Sequence, residues 1–176
     1  WDKIHFFWSD ERYVPPENPE SNFGMTKNFL FNFIAVPDKN IHIINGNEVP
    51  EKESERYALE ILKYVDKKDN LPSFDLILLG IGSDGHTASL FPGEKLISVF
   101  SNICGVAVHP VTKQKRISIT KEMINNSGKI KFLVTGKNKA EIIYKILKNK
   151  NGFPIEIKSA EDKITFLLDK EASAYL

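Results

Sequence analysis

Short apolar runs alternating with amphipathic segments constrain how this chain can fold more than any other feature. The runs are Ile4–Trp8, Ile41–Ile44, Leu76–Leu79, Ile103–Val108, Ile130–Thr135 and Ile164–Leu168. Between them, Glu53–Val65 places Tyr57, Ala58, Ile61, Leu62 and Val65 on one helical stripe, with Glu55, Arg56, Glu60 and Lys63 turned away. Asn138–Lys148 does the same with Ile142, Ile143, Ile146 and Leu147, and Gly152 and Pro154 then stop it. Met25–Phe33 and Glu171–Leu176 read as shorter helices, and Pro15-Pro16, Asn45-Gly46 and Asp69-Asn70 as loops. This order predicts an α/β fold, a mostly parallel sheet flanked by helices, in one domain over residues 1–176. Leu76–Leu79 is apolar throughout, as in a strand buried on both faces. Arg116–Thr120 alternates, as in a half-exposed or edge strand.

Composition removes several classes of function. Lys and Arg number 24 against 23 Asp and Glu, a net charge of +1. No general nucleic-acid affinity follows from that balance. No apolar run approaches the roughly 20 residues of a membrane span. The lone cysteine, Cys104, lies in an apolar strand and excludes an intrachain disulfide, which suits a reducing, cytoplasmic setting. No Cys/His set has zinc spacing, so no metal is expected. No Ser sits in a Gly-x-Ser-x-Gly elbow, which leaves a serine hydrolase unsupported. The chain opens on Trp1 and runs at once into strand-like residues, and the expectation is that the start of a larger protein or domain lies upstream.

In a parallel sheet, ligands gather at the carboxyl ends of strands. Leu76–Leu79 runs directly into Gly80-Ile81-Gly82-Ser83-Asp84-Gly85-His86. Glycines here permit a tight turn and close approach of a ligand. Thr87–Phe91 could open a short helix facing that turn. Asp84 and His86 can reach one cavity, and imidazole is the side chain that trades protons near neutral pH. The competing reading is a structural turn with a solvated Asp and a packed His. Ile4–Trp8 ends in Ser9-Asp10-Glu11-Arg12, where Arg12 could fork onto a phosphate or pair with Asp10 or Glu11. Spacing alone favours the pair. Ser21-Asn22 reads as a polar loop, and Arg116 as an exposed charge on an edge strand. Thr135–Ala140 joins a strand to a helix, where backbone N–H groups and a lysine would suit a phosphate. It lacks P-loop spacing, and spacing alone slightly favours an ordinary connection. His5 and His42 read as packed, and His109, before Pro110, is open.

Together these pieces are more specific than any one of them. Trp8-Ser9-Asp10-Glu11-Arg12-Tyr13-Val14-Pro15, Glu20-Ser21-Asn22-Phe23, the long segment Phe74–Gly93, Arg116–Thr120, Thr135–Ala140 and Phe166–Ala172 occur in that order. In this the chain resembles the glucosamine-6-phosphate isomerase/6-phosphogluconolactonase family across essentially its whole length. Phe91 stands where the isomerase branch carries a Glu, and that branch lacks the Arg found here as Arg12, so the resemblance is to the lactonase branch.

The resemblance implies a sugar-phosphate isomerase-like α/β fold and cytosolic hydrolysis of 6-phosphoglucono-δ-lactone to 6-phosphogluconate, with no cofactor. It implies that His86 activates water, with Asp84 beside it. Arg12, Arg116 and Lys139 would line the substrate and phosphate site, and N–H groups around Gly82 and Gly85, or Arg12, would face the oxyanion. There are two departures from the family pattern. A Ser-Gly-Gly-Ser-type loop would fall before Trp1, and Val111 stands where a Lys-Pro-Pro run is usual, with Lys113 or Lys115 as possible substitutes. Alternatives remain in an amino-sugar phosphate isomerase and in a non-catalytic piece of a larger polypeptide. Fusion to glucose-6-phosphate dehydrogenase, known in the family, is a further expectation.

Overall fold

In the computed structural model, which describes residues 1–149 and 163–176, apolar runs become strands and amphipathic segments become helices. The order is β1 (Phe6–Phe7), β2 (Asp10–Arg12), α1 (Asn22–Phe29), β3 (Ile41–His42), α2 (Pro50–Tyr64), β4 (Lys67–Lys68), β5 (Leu71–Pro72) and β6 (Leu76–Leu79). There follow β7 (Ile97–Phe100), β8 (Cys104–Val108), β9 (Lys115–Ile119), α3 (Lys121–Asn126), β10 (Lys129–Val134), α4 (Ala140–Asn149) and β11 (Ile164–Leu168). The expected helix stop at Gly152 and Pro154 lies outside the described residues.

The parallel arrangement holds for β1 with β3, and for β6, β10 and β11 with β10 central. A second, antiparallel sheet accompanies it in the order β2-β9-β8-β7. Strands β7, β8 and β9 follow one another through short turns. Such links allow only antiparallel pairing, because a parallel pair needs a long crossover. The edge reading of Arg116–Thr120 is therefore corrected. Strand β9 is flanked by β2 and β8, α2 packs over β7, β8 and β9, and Ile117, Ser118 and Ile119 are buried.

The expectation for Leu76–Leu79 is corrected in the opposite sense. Ile77 and Leu79 are buried, but Leu76 is 48% and Leu78 55% exposed. Only one face of this sheet is covered within the described residues.

Helix α2 starts where the sequence allows it. Pro50 occupies the first turn with Glu51 and Glu53, whose charges oppose the helix dipole favourably. Its stripe, Tyr57, Ala58 and Ile61, is fully buried. The Tyr57 hydroxyl accepts from Trp8 N–H at 2.7 Å and donates to Trp8 C=O at 2.9 Å. That clamp fixes the chain between β1 and β2, from which the site is built.

Three local expectations change. Met25–Phe33 becomes α1 and a separate 3₁₀ turn at Phe31–Phe33. Glu171–Leu176 is a run of turns, because the Asp169 carboxylate takes the Ala172 N–H at 2.7 Å and bends the chain there. Asp69 and Asn70 both have positive φ and close the β4–β5 hairpin, the mirror-image turn such links favour. Cys104 is buried core as expected, and burial pushes its thiol pKa up.

Candidate active site

The loop after β6 is tied to itself. Gly82 N–H donates to His86 C=O at 2.8 Å, Gly85 N–H to Gly82 C=O at 3.0 Å, and the Thr87 hydroxyl to Gly80 C=O at 2.8 Å. Gly85 has φ +89°, which an L side chain rarely adopts. Gly82 is needed for another reason: a Cβ there would overlap His86 Nδ1 and Asp84 Oδ1. The absent side chain leaves room for the Asp84–His86 pair.

That pair is close. His86 Nδ1 lies 2.6 Å from Asp84 Oδ1, which also accepts the His86 backbone N–H at 3.2 Å. A carboxylate only accepts, so the imidazole proton sits on Nδ1 and Nε2 carries the lone pair. Burial pushes the Asp84 carboxyl pKa up, but the backbone and ring N–H groups of His86 pull it below the usual carboxylate range. Asp84 is therefore an anion that orients the ring.

The helix expected at Thr87–Phe91 is absent. Thr87 and Leu90 close a tight turn through Ala88 at φ +48°. Ser89 is drawn away, its hydroxyl donating to Asp10 Oδ2 at 2.6 Å. No helix N-terminus serves an anion there. The N–H groups of Gly82 and Gly85 are also spent within the loop, so these glycines shape the turn.

A cavity of about 300 Å³ opens beside the loop, lined in part by Gly82, His86, Arg12, Arg116 and Lys139. Asp84 and Gly85 stand outside its lining. Arg12 and Arg116 are register partners across β2 and β9. The Nε atoms of both are buried without a hydrogen-bond partner. Burial holds the Arg116 pKa below its usual range, with Asp10 opposing and the Arg12 charge adding to the shift. Two guanidiniums side by side, each with an unpartnered buried Nε donor, have the chemistry to receive an anion.

Lys139 ends the 3₁₀ turn Lys137–Lys139 that leads into α4. The amides expected to serve a phosphate there are partly taken: Gly136 N–H goes to Asp169 Oδ2 at 3.0 Å and Lys137 N–H to Glu171 Oε2 at 3.3 Å. The lysine side chain is what this turn brings to the cavity.

Several contributors escaped the sequence reading. Glu11, 2% exposed, is no surface partner of Arg12. Its carboxylate accepts the N–H groups of Arg12, Asn22 and Phe23, each at 2.8 Å, and the Ser21 hydroxyl at 3.1 Å. Ser21 is the N-cap of α1, accepting from Gly24 N–H. A Ser ahead of a short apolar segment was the available signal. Lys113 and Lys115 do not substitute at the cavity. Lys113 bonds Pro110 C=O at 2.7 Å and Lys115 pairs with Glu51 at 2.9 Å. His5 is solvent-exposed on one side but packed on the other, stacking on His42 at 5.1 Å, while His42 is buried as expected.

The parallel sheet, the carboxylate-oriented imidazole at a strand end and the cavity lined by Arg12, Arg116 and Lys139 place this chain among α/β proteins with a polar cavity at the strand ends. By sequence, the chain belongs to the glucosamine-6-phosphate isomerases/6-phosphogluconolactonase family, whose pattern it matches over residues 1–166. It is 42% identical over 143 residues to a 6-phosphogluconolactonase of Treponema pallidum, covering 81% of this chain and 59% of that protein. It is 38% identical over 180 residues to one of Aggregatibacter actinomycetemcomitans, covering all of this chain and 75% of that one. Among solved structures, a 6-phosphogluconolactonase from Thermotoga maritima superposes with a TM-score of 0.81 at 33% identity, over 96% of this chain and 73% of that chain. The chain thus spans about six tenths of the first two curated relatives it matches.

Proposed function

We propose that this chain carries the site for hydrolysis of 6-phosphoglucono-δ-lactone to 6-phosphogluconate. The observation that carries the reading is the Asp84–His86 pair, 2.6 Å apart, with His86 lining the same cavity as Arg12, Arg116 and Lys139. The names of the relatives support the choice of substrate. His86 Nε2 takes a proton from water as it attacks the lactone carbonyl, a role typically worth about 10²–10⁴-fold. Asp84 holds the tautomer and offsets the imidazolium charge. With the Gly82 and Gly85 amides engaged, Arg12 is the nearer candidate to bear oxyanion charge. Arg116 and Lys139 hold the phosphate, and that remote binding energy positions the carbonyl. The ring then opens, and the proton on His86 returns to the leaving hydroxyl. No step needs a cofactor. The lone buried thiol accords with a cytoplasmic setting, and glucose-6-phosphate dehydrogenase, fused or separate, would supply the lactone.

The test is lactone hydrolysis by the chain, read through coupled oxidation of 6-phosphogluconate with the spontaneous rate subtracted. His86→Ala is expected to lower kcat by about tenfold or more with the fold retained. Wild-type turnover in that variant removes the general base. Release of ammonia from glucosamine 6-phosphate, with no lactone hydrolysis, would favour the isomerase reading instead.

A further inference from the structure

The loop joining β8 to β9 is held by a histidine that the proposed reaction does not use. His109 Nδ1 accepts two backbone N–H groups of that loop, from Val111 and Thr112, each at 3.2 Å. Its own C=O accepts the Lys113 N–H at 3.0 Å, and its N–H donates to Gln114 C=O at 2.9 Å. Lys113 has φ +60°, a conformation few L residues adopt unless their surroundings impose it. The ring therefore stands at the centre of the turn as an acceptor.

On its other side the ring meets Phe91. The two centroids are 5.0 Å apart at 67°, an edge-to-face contact. Phe91 is 3% exposed and meets His86 at 4.9 Å, and the Arg116 guanidinium lies 5.6 Å over its ring. One phenyl ring thus separates His109 from the imidazole and from one of the cations of the cavity.

We propose that His109 is a positioning residue of this site: as a neutral ring it clasps the β8–β9 loop through Nδ1 and backs Phe91, and so holds His86 and Arg116 in place. Its catalytic consequence rests on the lactonase reading, but the clasp does not. Protonation at Nδ1 replaces the lone pair with an N–H, which then points at two other N–H groups. The clasp must open, and a positive charge appears beside Phe91. The charged groups facing His109 are Arg116 from β9 and His86 with Asp84 from the loop after β6, while Lys113 of its own loop is turned onto Pro110 C=O. Burial, then the Arg116 charge and His86, hold the His109 pKa below its usual range against the pull of Asp84. The neutral clasp thereby persists to lower pH than a free histidine would allow.

The experiment has two arms. In the first, nuclear magnetic resonance follows the Val111 and Thr112 amides of the full chain across a pH titration. Both should move with the His109 ring, and His109→Asn should abolish that movement and shift the His86 ring resonances. Amides that ignore the His109 titration overturn the clasp. In the second, the acid limb of kcat/KM is measured. It should fall with one proton more than the limb of His109→Asn, the difference being the proton on His109. A limb with the same proton count in wild type and His109→Asn overturns the positioning role, because a merely structural loop would not alter that count. If the chain hydrolyses no lactone, the lactonase reading fails alone. The amides then judge the clasp, and the His86 resonances judge the positioning.

Discussion

At the residue scale, this site depends as much on an absent atom as on those present. The Asp84–His86 pair lies where the Cβ of any other residue at position 82 would be. Gly82→Ala is therefore expected to displace the imidazole and to cost about tenfold or more in kcat, since small misplacements of a catalytic group are expensive. Thermal melting should show the fold retained, which separates a misplaced ring from an unfolded chain. Lys139 belongs to the other half of the site. It lines the cavity, and its role under the proposed reading is remote binding. Lys139→Ala should raise KM by roughly tenfold, the value of a hydrogen bond to a charged group. An unchanged KM takes the phosphate off Lys139.

At the element scale, β1, β3 and α2 meet through a chain of titratable side chains away from the cavity. His42 on β3 is 3% exposed, with Nδ1 2.8 Å from Glu60 on α2 and Nε2 2.8 Å from His5 Nδ1. Phe7 of β1 stacks on its ring at 4.2 Å. Burial lowers the His42 pKa from its ordinary 6.5, the Glu60 bond and charge oppose, and His5 and Arg56 add to the lowering. The folded state thus prefers the neutral ring. Its contribution to stability is present above 6.5 and is lost as pH falls through the lower folded value. Urea midpoints should drop between about pH 7.5 and about pH 5, and less steeply in His42→Gln. A variant with the wild-type slope would place the acid sensitivity elsewhere.

At the scale of the whole molecule, one face of the β6-β10-β11 sheet is unfinished within the described residues. Parallel register sets Leu78 beside Lys131 and Leu133 beside Leu167. Leu76, Leu78, Leu133 and Leu167 are each 46% to 55% exposed. A face with four exposed leucines, although Lys129 and Lys131 lie among them, binds hydrophobic dyes and promotes association. The native chain should enhance the fluorescence of an anilinonaphthalene dye. Leu78→Lys with Leu167→Glu should reduce that signal while circular dichroism stays unchanged. Equal fluorescence in both proteins would mean that the face is not accessible in solution.

The α/β class, the two long helices and the loop after β6 were legible in the chain because each is written in local pattern. Apolar spacing sets α2, Gly80, Gly82 and Gly85 mark the turn, and His86 stands two residues from its carboxylate. Local pattern does not carry partners that are distant in sequence. Arg12 and Arg116 face one another only because β2 pairs with β9. Glu11 is a buried bracket for α1 only because Ser21, Asn22 and Phe23 return to it. Leu78 is exposed although its sequence reads as core, since exposure depends on which layers cover a sheet. Sequence alone determined the main strands, the two long helices and the placing of Asp84 and His86 at a strand end. Tertiary structure decided which charges share a cavity, which amides are already spent and which apolar face stays bare, because each depends on contacts between segments that no local periodicity encodes.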